Sequence, residues 1–243
     1  MNDVHEILKT RPLLLDGGMG TYYKGKPGQE CEQANLLDPA GILAVHRAYR
    51  AAGADALKTN TFGLPRMMAG GDPQWEALAE AGWRLAVEAA EGAAVFADLG
   101  PAPDTEAQPA AQVYTAVALR FAALGAKNFL FETLSTDAGV VEAARAIKEQ
   151  VPEAFVLVSF AVLPDGYTRE GQYCTALARR MAHSGLVDAV GLNCVSAPGA
   201  MSSLVGQLGD VGLPLSVMPN AGYPVVTRTR VQYQGKPEYF AQE

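Results

Sequence analysis

The side chains best placed for chemistry stand at the ends of short apolar runs. Val187-Asp188-Ala189-Val190-Gly191-Leu192 reads as a β-branched strand that runs out into Asn193 and Cys194. A thiol at the carboxyl end of a buried strand can hold a metal or attack a substrate, but free cysteine is also among the residues most often buried only to pack. Leu13-Leu14-Leu15 stops at Asp16-Gly17-Gly18-Met19-Gly20-Thr21. Three glycines in four positions let backbone N–H groups turn toward one point as an anion-binding nest, with a plain tight turn as the alternative. The pattern recurs along the chain. Asp55–Thr59 ends at Asn60, Ala93–Ala97 at Asp98, Asn128–Phe131 at Glu132, Phe155–Val158 at Ser159 and Pro214–Met218 at Pro219-Asn220.

Other reactive types read as structural. Cys31 lies between Glu30 and Glu32, which disfavour a thiolate, and Cys174 falls on a helix away from any strand end. His46 sits on a mostly apolar helix face, His183 near a helix end, and Trp75 and Trp83 at packing positions.

The elements that carry these residues alternate. Helices are expected over Asn2–Lys9, Pro39–Ala52, Asp72–Gly92 with Asp72 as N-cap, Ala110–Leu124, Asp137–Gln150 capped by Asp137, Gln172–His183 and Ala200–Leu208. Seven βα repeats with strands reading as unbroken apolar runs predict a parallel sheet buried on both faces. A barrel gathers its carboxyl-terminal strand ends into one mouth, where catalysis in such folds sits. The expected fold is therefore α/β, a (β/α)8 TIM barrel built as a single domain over residues 1–243. A doubly wound open sheet is the alternative, disfavoured because no Gly-x-Gly-x-x-Gly turn opens a helix after a strand. The count falls one short, since such barrels have eight strands. After Asn220 the chain is expected to form a polar loop over Thr227–Lys236 and then the first turn of a helix at Pro237-Glu238, so the last helix-strand unit is lacking.

Composition narrows the function classes. The 243 residues are 49% hydrophobic and 19% charged, with a net charge of −7. An acidic chain without a Lys/Arg cluster argues against nucleic acid as partner. No apolar run reaches 18 residues and Met1–Arg11 is no signal peptide, which predicts neither membrane span nor export. Three scattered cysteines without a C-x-x-C pair suit a reducing cytoplasm.

Asp16-Gly17-Gly18-Met19-Gly20-Thr21, Ala52-Gly53-Ala54-Asp55, Thr59-Asn60-Thr61-Phe62-Gly63, Phe131-Glu132-Thr133, Gly191-Leu192-Asn193-Cys194 and Pro219-Asn220-Ala221-Gly222 together resemble the homocysteine S-methyltransferase family. They span nearly the whole chain in order. The Pro-Asn-Ala-Gly segment with Pro224 beyond it is closer to the branch that includes the homocysteine-binding module of cobalamin-dependent methionine synthase. The resemblance implies methyl transfer to the thiol of homocysteine, which gives methionine. It also implies zinc held by three thiolates, one at Cys194 and two from an adjacent pair on the eighth strand. By the same likeness Asp16 and Glu132 hold the substrate ammonium, the amides near Gly18 and Met19 hold its carboxylate, and Asn220 fills the metal's open position when substrate is absent. The methyl donor, cobalamin or methyltetrahydrofolate among the candidates, would sit on a separate domain or protein.

The paired cysteines are missing, so one zinc ligand of three remains. Truncation, completion by a second chain, or a degenerate amino-acid-binding barrel that transfers no methyl group are the three explanations. Truncation is favoured.

Overall fold

The computed structural model describes residues 3–25, 29–226, 231–233 and 235–243. Six strands form one sheet in sequence order: β1 (Ala56–Lys58), β2 (Ala94–Leu99), β3 (Asn128–Leu134), β4 (Phe155–Phe160), β5 (Ala189–Asn193) and β6 (Leu215–Met218). The β1/β2, β4/β5 and β5/β6 pairs are parallel, with Lys58 level with Phe96 and Asn193 level with Met218. Strands β2 and β4 are buried at every position, as sheet strands covered on both faces must be.

The chain divides into two compact units. The first comprises Met1–Leu130 and Ala138–Val156. It holds β1, β2 and the helices α1 (Val4–Leu8), α2 (Met19–Tyr22), α3 (Ala34–Leu37), α4 (Pro39–Ala51), α5 (Leu64–Ala69), α6 (Trp75–Ala90), α7 (Ala110–Ala123) and α8 (Val140–Gln150). Phe96, Phe121, Phe129, Ile42 and Leu57 are fully buried in it. Phe96 meets Phe155 edge to face, with ring centroids 6.0 Å apart.

The second unit comprises Phe131–Asp137 and Leu157–Glu243. It carries the ends of β3 and β4, then α9 (Cys174–Ser184), β5, α10 (Pro198–Leu208), β6, an antiparallel hairpin of β7 (Pro224–Val226) and β8 (Val231–Tyr233), and α11 (Pro237–Gln242). Phe131, Leu134 and Phe160 are buried there.

The first expected strand is reduced to one parallel bridge, Leu15 to Ala56, with Asp16 N–H donating to the Ala56 carbonyl at 3.0 Å. Pro12 before the segment and Gly17 after it leave only four residues to pair. Arg11 clamps this segment through two bonds to Asp55, at 2.6 and 2.8 Å. Two helix starts differ from expectation. Helix α6 begins at Trp75 after Gln74, and the Asp72 carboxylate accepts the Gln74 N–H at 2.8 Å, two residues ahead of the observed cap. Gly139, at φ 74, precedes α8, while Asp137 pairs with Arg180 at 2.6 Å. A Cβ on Gly139 would stand 2.3 Å from the Ala111 nitrogen, so α8 can approach α7 there only on glycine.

Strand β6 alternates exposed and half-buried residues, with Leu215 39% and Val217 45% exposed, where an unbroken buried run was expected. Part of the expected loop over Thr227–Lys236 is strand instead. Val231–Tyr233 pairs with Pro224–Val226, in keeping with its β-branched and aromatic ends. Residues 227–230 and 234 of that loop lie outside the described residues. The closing helix at Pro237 is present.

Candidate active site

In the second unit the ends of β3, β4 and β5 bring four polar side chains together. Asn193, the last residue of β5, is 1% exposed and is the hub. Its Oδ1 accepts from the Thr133 backbone N–H at 3.0 Å and from the Ser159 hydroxyl at 2.8 Å. Its Nδ2 donates to Thr133 Oγ1 at 2.7 Å. These partners fix which way the amide points, because only the oxygen can face two donors. Thr133 Oγ1 uses a lone pair on the amide, which leaves its own proton for Cys194 Sγ, 3.7 Å away.

The backbone is strained where these residues meet. Thr133, Cys194 and Val195 have φ of 62°, 56° and 57°, the left-handed region that side chains other than those of Gly, Asn and Asp avoid. Such conformations persist only when their surroundings over-determine them, and they cluster at functional sites. The ties are visible. Cys194 N–H donates to the Met218 carbonyl at 3.1 Å, Ser196 N–H to the Cys194 carbonyl at 2.5 Å, and Asn220 N–H to the Ser196 carbonyl at 3.0 Å. The Ser196 hydroxyl adds a bond to the Val162 carbonyl at 3.1 Å. Glu132, buried within β3, immediately precedes Thr133, and half-buried Asn220 is joined by its backbone to the turn that follows Cys194. Glu132, Cys194 and Asn220 therefore belong to one unit, with Glu132 inside β3, which runs on to Leu134 past the expected strand end, Cys194 directly after β5 and Asn220 beyond β6.

In the first unit Asp16 is buried, and its Oδ2 accepts the Lys58 N–H at 3.1 Å. That bond ties the end of the first segment to β1. Beyond it, the Gly18 carbonyl accepts from the Tyr49 hydroxyl at 3.2 Å and the Thr21 hydroxyl at 3.3 Å. Burial raises the Tyr49 phenol, with the Asp16 charge adding to it, so it stays a donor. Asn60 is engaged elsewhere. Its amide donates to Asn35 Oδ1 and to the Cys31 carbonyl, both at 2.9 Å, while Asn35 donates back to the Asn60 carbonyl at 2.8 Å. Glu32, buried, accepts the Gly63 N–H at 2.5 Å. Asn60 thus cross-links the loop after β1 to α3.

Sequence reasoning missed Thr133 as a functional neighbour, Tyr49, and the buried Glu32 and Asn35. No residue type announces a left-handed threonine.

For Cys31 and Cys174 burial is the leading influence on the thiol. Burial, more than the flanking acids, pushes the Cys31 thiol up to about 11. Cys174 is buried at the start of α9, and burial raises it too. Among the described residues no three His, Cys, Asp or Glu side chains are grouped so as to hold a metal. Cys194 with the Asn220 amide does not make up the three or four protein ligands of a zinc site, so the described residues do not fit that metal by themselves.

The parallel sheet and the α/β alternation, with polar side chains and a strained thiol at the ends of β3, β4 and β5, define an α/β protein. A profile for homocysteine S-methyltransferases matches residues 13–243. The methionine synthase of Mycobacterium leprae is 30% identical over a 271-residue alignment that takes in 99% of this chain and 22% of that protein. The methionine synthase of Mycobacterium tuberculosis is 29% identical over the same length, with 99% and 23% covered. The chain thus spans about a fifth of the length of these curated relatives. The metallated homocysteine methyltransferase MmuM of Escherichia coli has the same fold at a TM-score of 0.75, with 22% identity and coverage of 91% and 88% of the two chains. The chain belongs to the homocysteine S-methyltransferase family.

Proposed function

We propose that this chain binds homocysteine and presents its sulfur for methylation, giving methionine, within a (β/α)8 barrel domain. The observation that carries this reading is the Cys194 turn. A thiol at the end of β5 is held in a strained backbone by four hydrogen bonds and receives a hydroxyl from Thr133. Family membership supplies the chemistry. The sulfur lone pair forms the S–CH3 bond, the bond from methyl to donor breaks with its electron pair leaving on the donor, and the thiol gives up its proton.

Asp16 and Glu132 are assigned to the substrate ammonium. Both assignments rest on the family likeness. The amides near Gly18 and Met19 are assigned to the carboxylate. Cys194 is assigned as one zinc ligand and Asn220 as its neighbour at the open position. The remaining thiolates would have to come from other residues, so the chain's own steps are binding and orientation. A cobalamin- or methyltetrahydrofolate-bearing domain or protein is the proposed methyl donor, as the family resemblance implies. Among the described residues no helix is long and apolar enough to cross a membrane.

Calorimetric titration of homocysteine into Glu132→Gln protein tests the assignment. Loss of one charge-assisted bond weakens binding by roughly 10- to 100-fold. Unchanged affinity removes Glu132 from the site. The second reading is an amino-acid-binding barrel without transfer. It predicts homocysteine binding with no methionine formed from any methyl donor.

A further inference from the structure

We propose that Tyr49 sets the carboxylate selectivity of the glycine loop by fixing the orientation of the Gly18–Met19 peptide, a proposal that rests on the assignment of the substrate carboxylate to that loop. A trans peptide is planar, with its C=O and N–H pointing in opposite directions. The Tyr49 hydroxyl on α4 takes the Gly18 carbonyl at 3.2 Å, with Thr21 Oγ1 at 3.3 Å. The Met19 N–H is thereby turned away from α4. Successive glycines at 17 and 18 leave the chain free to rotate this peptide, so an external hold is needed to keep one orientation.

The fit around the phenol is close. A Cβ on Gly17 would lie 2.6 Å from Tyr49 Oη and 2.9 Å from Cε1 and Cζ. Gly17 has an ordinary φ, so an alanine there would act by displacing the ring. The Tyr22 ring packs against the Tyr49 ring at 5.6 Å and limits where it can go. Tyr49 is thus a positioning residue, acting on substrate through the loop.

The test uses two ligands with the same thiol and amine: L-homocysteine, and 3-aminopropane-1-thiol, which lacks the carboxylate. Calorimetry is run with the unaltered chain, Tyr49→Phe and Gly17→Ala, with melting curves to show that each variant folds. Both variants are expected to bind homocysteine about tenfold more weakly and to bind the decarboxylated amine as the parent does. In amide NMR spectra, homocysteine shifts the Met19 proton of the parent downfield and leaves it nearly in place in Tyr49→Phe. Phenylalanine preserves the ring packing, so a purely structural role would leave that shift intact. Unchanged homocysteine affinity, equal losses for the two ligands, or an intact Met19 shift in Tyr49→Phe each overturns the proposal. A parent chain that binds neither ligand rejects the homocysteine reading itself, a result distinct from either.

Discussion

Val195 is a β-branched residue at φ 57°, beside Cys194 at 56°, and few sequences tolerate two such neighbours. Glu91 shares that region at φ 49°, but it closes α6 at an exposed position next to Gly92, where helices commonly end left-handed. The Cys194 turn has no such excuse, since it follows a buried strand and is bound on both sides by backbone hydrogen bonds. Strain of this kind is of order 1–3 kcal/mol per residue, and removing it should appear as stability. Val195→Gly is expected to raise the denaturation midpoint by the equivalent of about 1 kcal/mol in a urea titration. A fall in the midpoint would mean that the valine side chain contributes more by packing than its backbone costs. The thiol, Asp16 and Glu132 were legible in the sequence because each is a polar residue interrupting an apolar run. Thr133 was not, because its role comes from a backbone angle and a partner 60 positions away in the chain.

At the scale of elements, the ends of β3, β4 and β5 are joined by one amide. Asn193 satisfies the Thr133 N–H, the Thr133 hydroxyl and the Ser159 hydroxyl at once. Asn193→Ala leaves the Thr133 N–H and the buried Ser159 hydroxyl without this acceptor and the Thr133 hydroxyl with Cys194 alone, so it should cost about 3 kcal/mol. Ser159→Ala removes one bond and should cost about 1 kcal/mol. The double variant should be less destabilised than the sum, because the serine has nothing to lose once the amide is gone. Strict additivity in a urea-denaturation cycle would show that the network is not shared. Most of these elements could be read in advance, since a buried parallel strand must be apolar throughout and its helix must carry a 3.6-residue stripe. Helix starts were less legible. Asp72 and Asp137 both look like caps, yet one closes a turn a step early and the other is taken by Arg180, a competition set by tertiary contacts. The β7–β8 hairpin was missed because its strands have only three residues each, too few for an alternating pattern to register.

For the molecule as a whole, the response to acid separates two groups by the pH at which each acts. His46 is fully buried in α4, and neither ring nitrogen has a hydrogen-bond partner among the described residues. Burial lowers its pKa from 6.5 to about 4. Above pH 6.5 the ring is neutral whether the chain is folded or not, and it makes no pH-dependent contribution. Between 6.5 and about 4 the unfolded chain takes up a proton that the folded chain refuses, so stability falls as pH falls. Over that whole window the loss approaches about 3 kcal/mol. Asp55 acts lower. Its carboxyl is held below the usual value by the Arg11 hydrogen bonds and the Leu14 N–H, so its contribution persists through the His46 window and disappears only in stronger acid. Replacing the ring should therefore remove the first loss and leave the second. Urea midpoints of the parent and His46→Leu should run together above pH 7 apart from a constant offset. They should diverge from pH 6.5 to 4 by a slope that approaches one proton, and become parallel again below that. A parent chain whose stability is flat across the window would show that the buried ring is protonated in the fold, with a partner that compensates its charge.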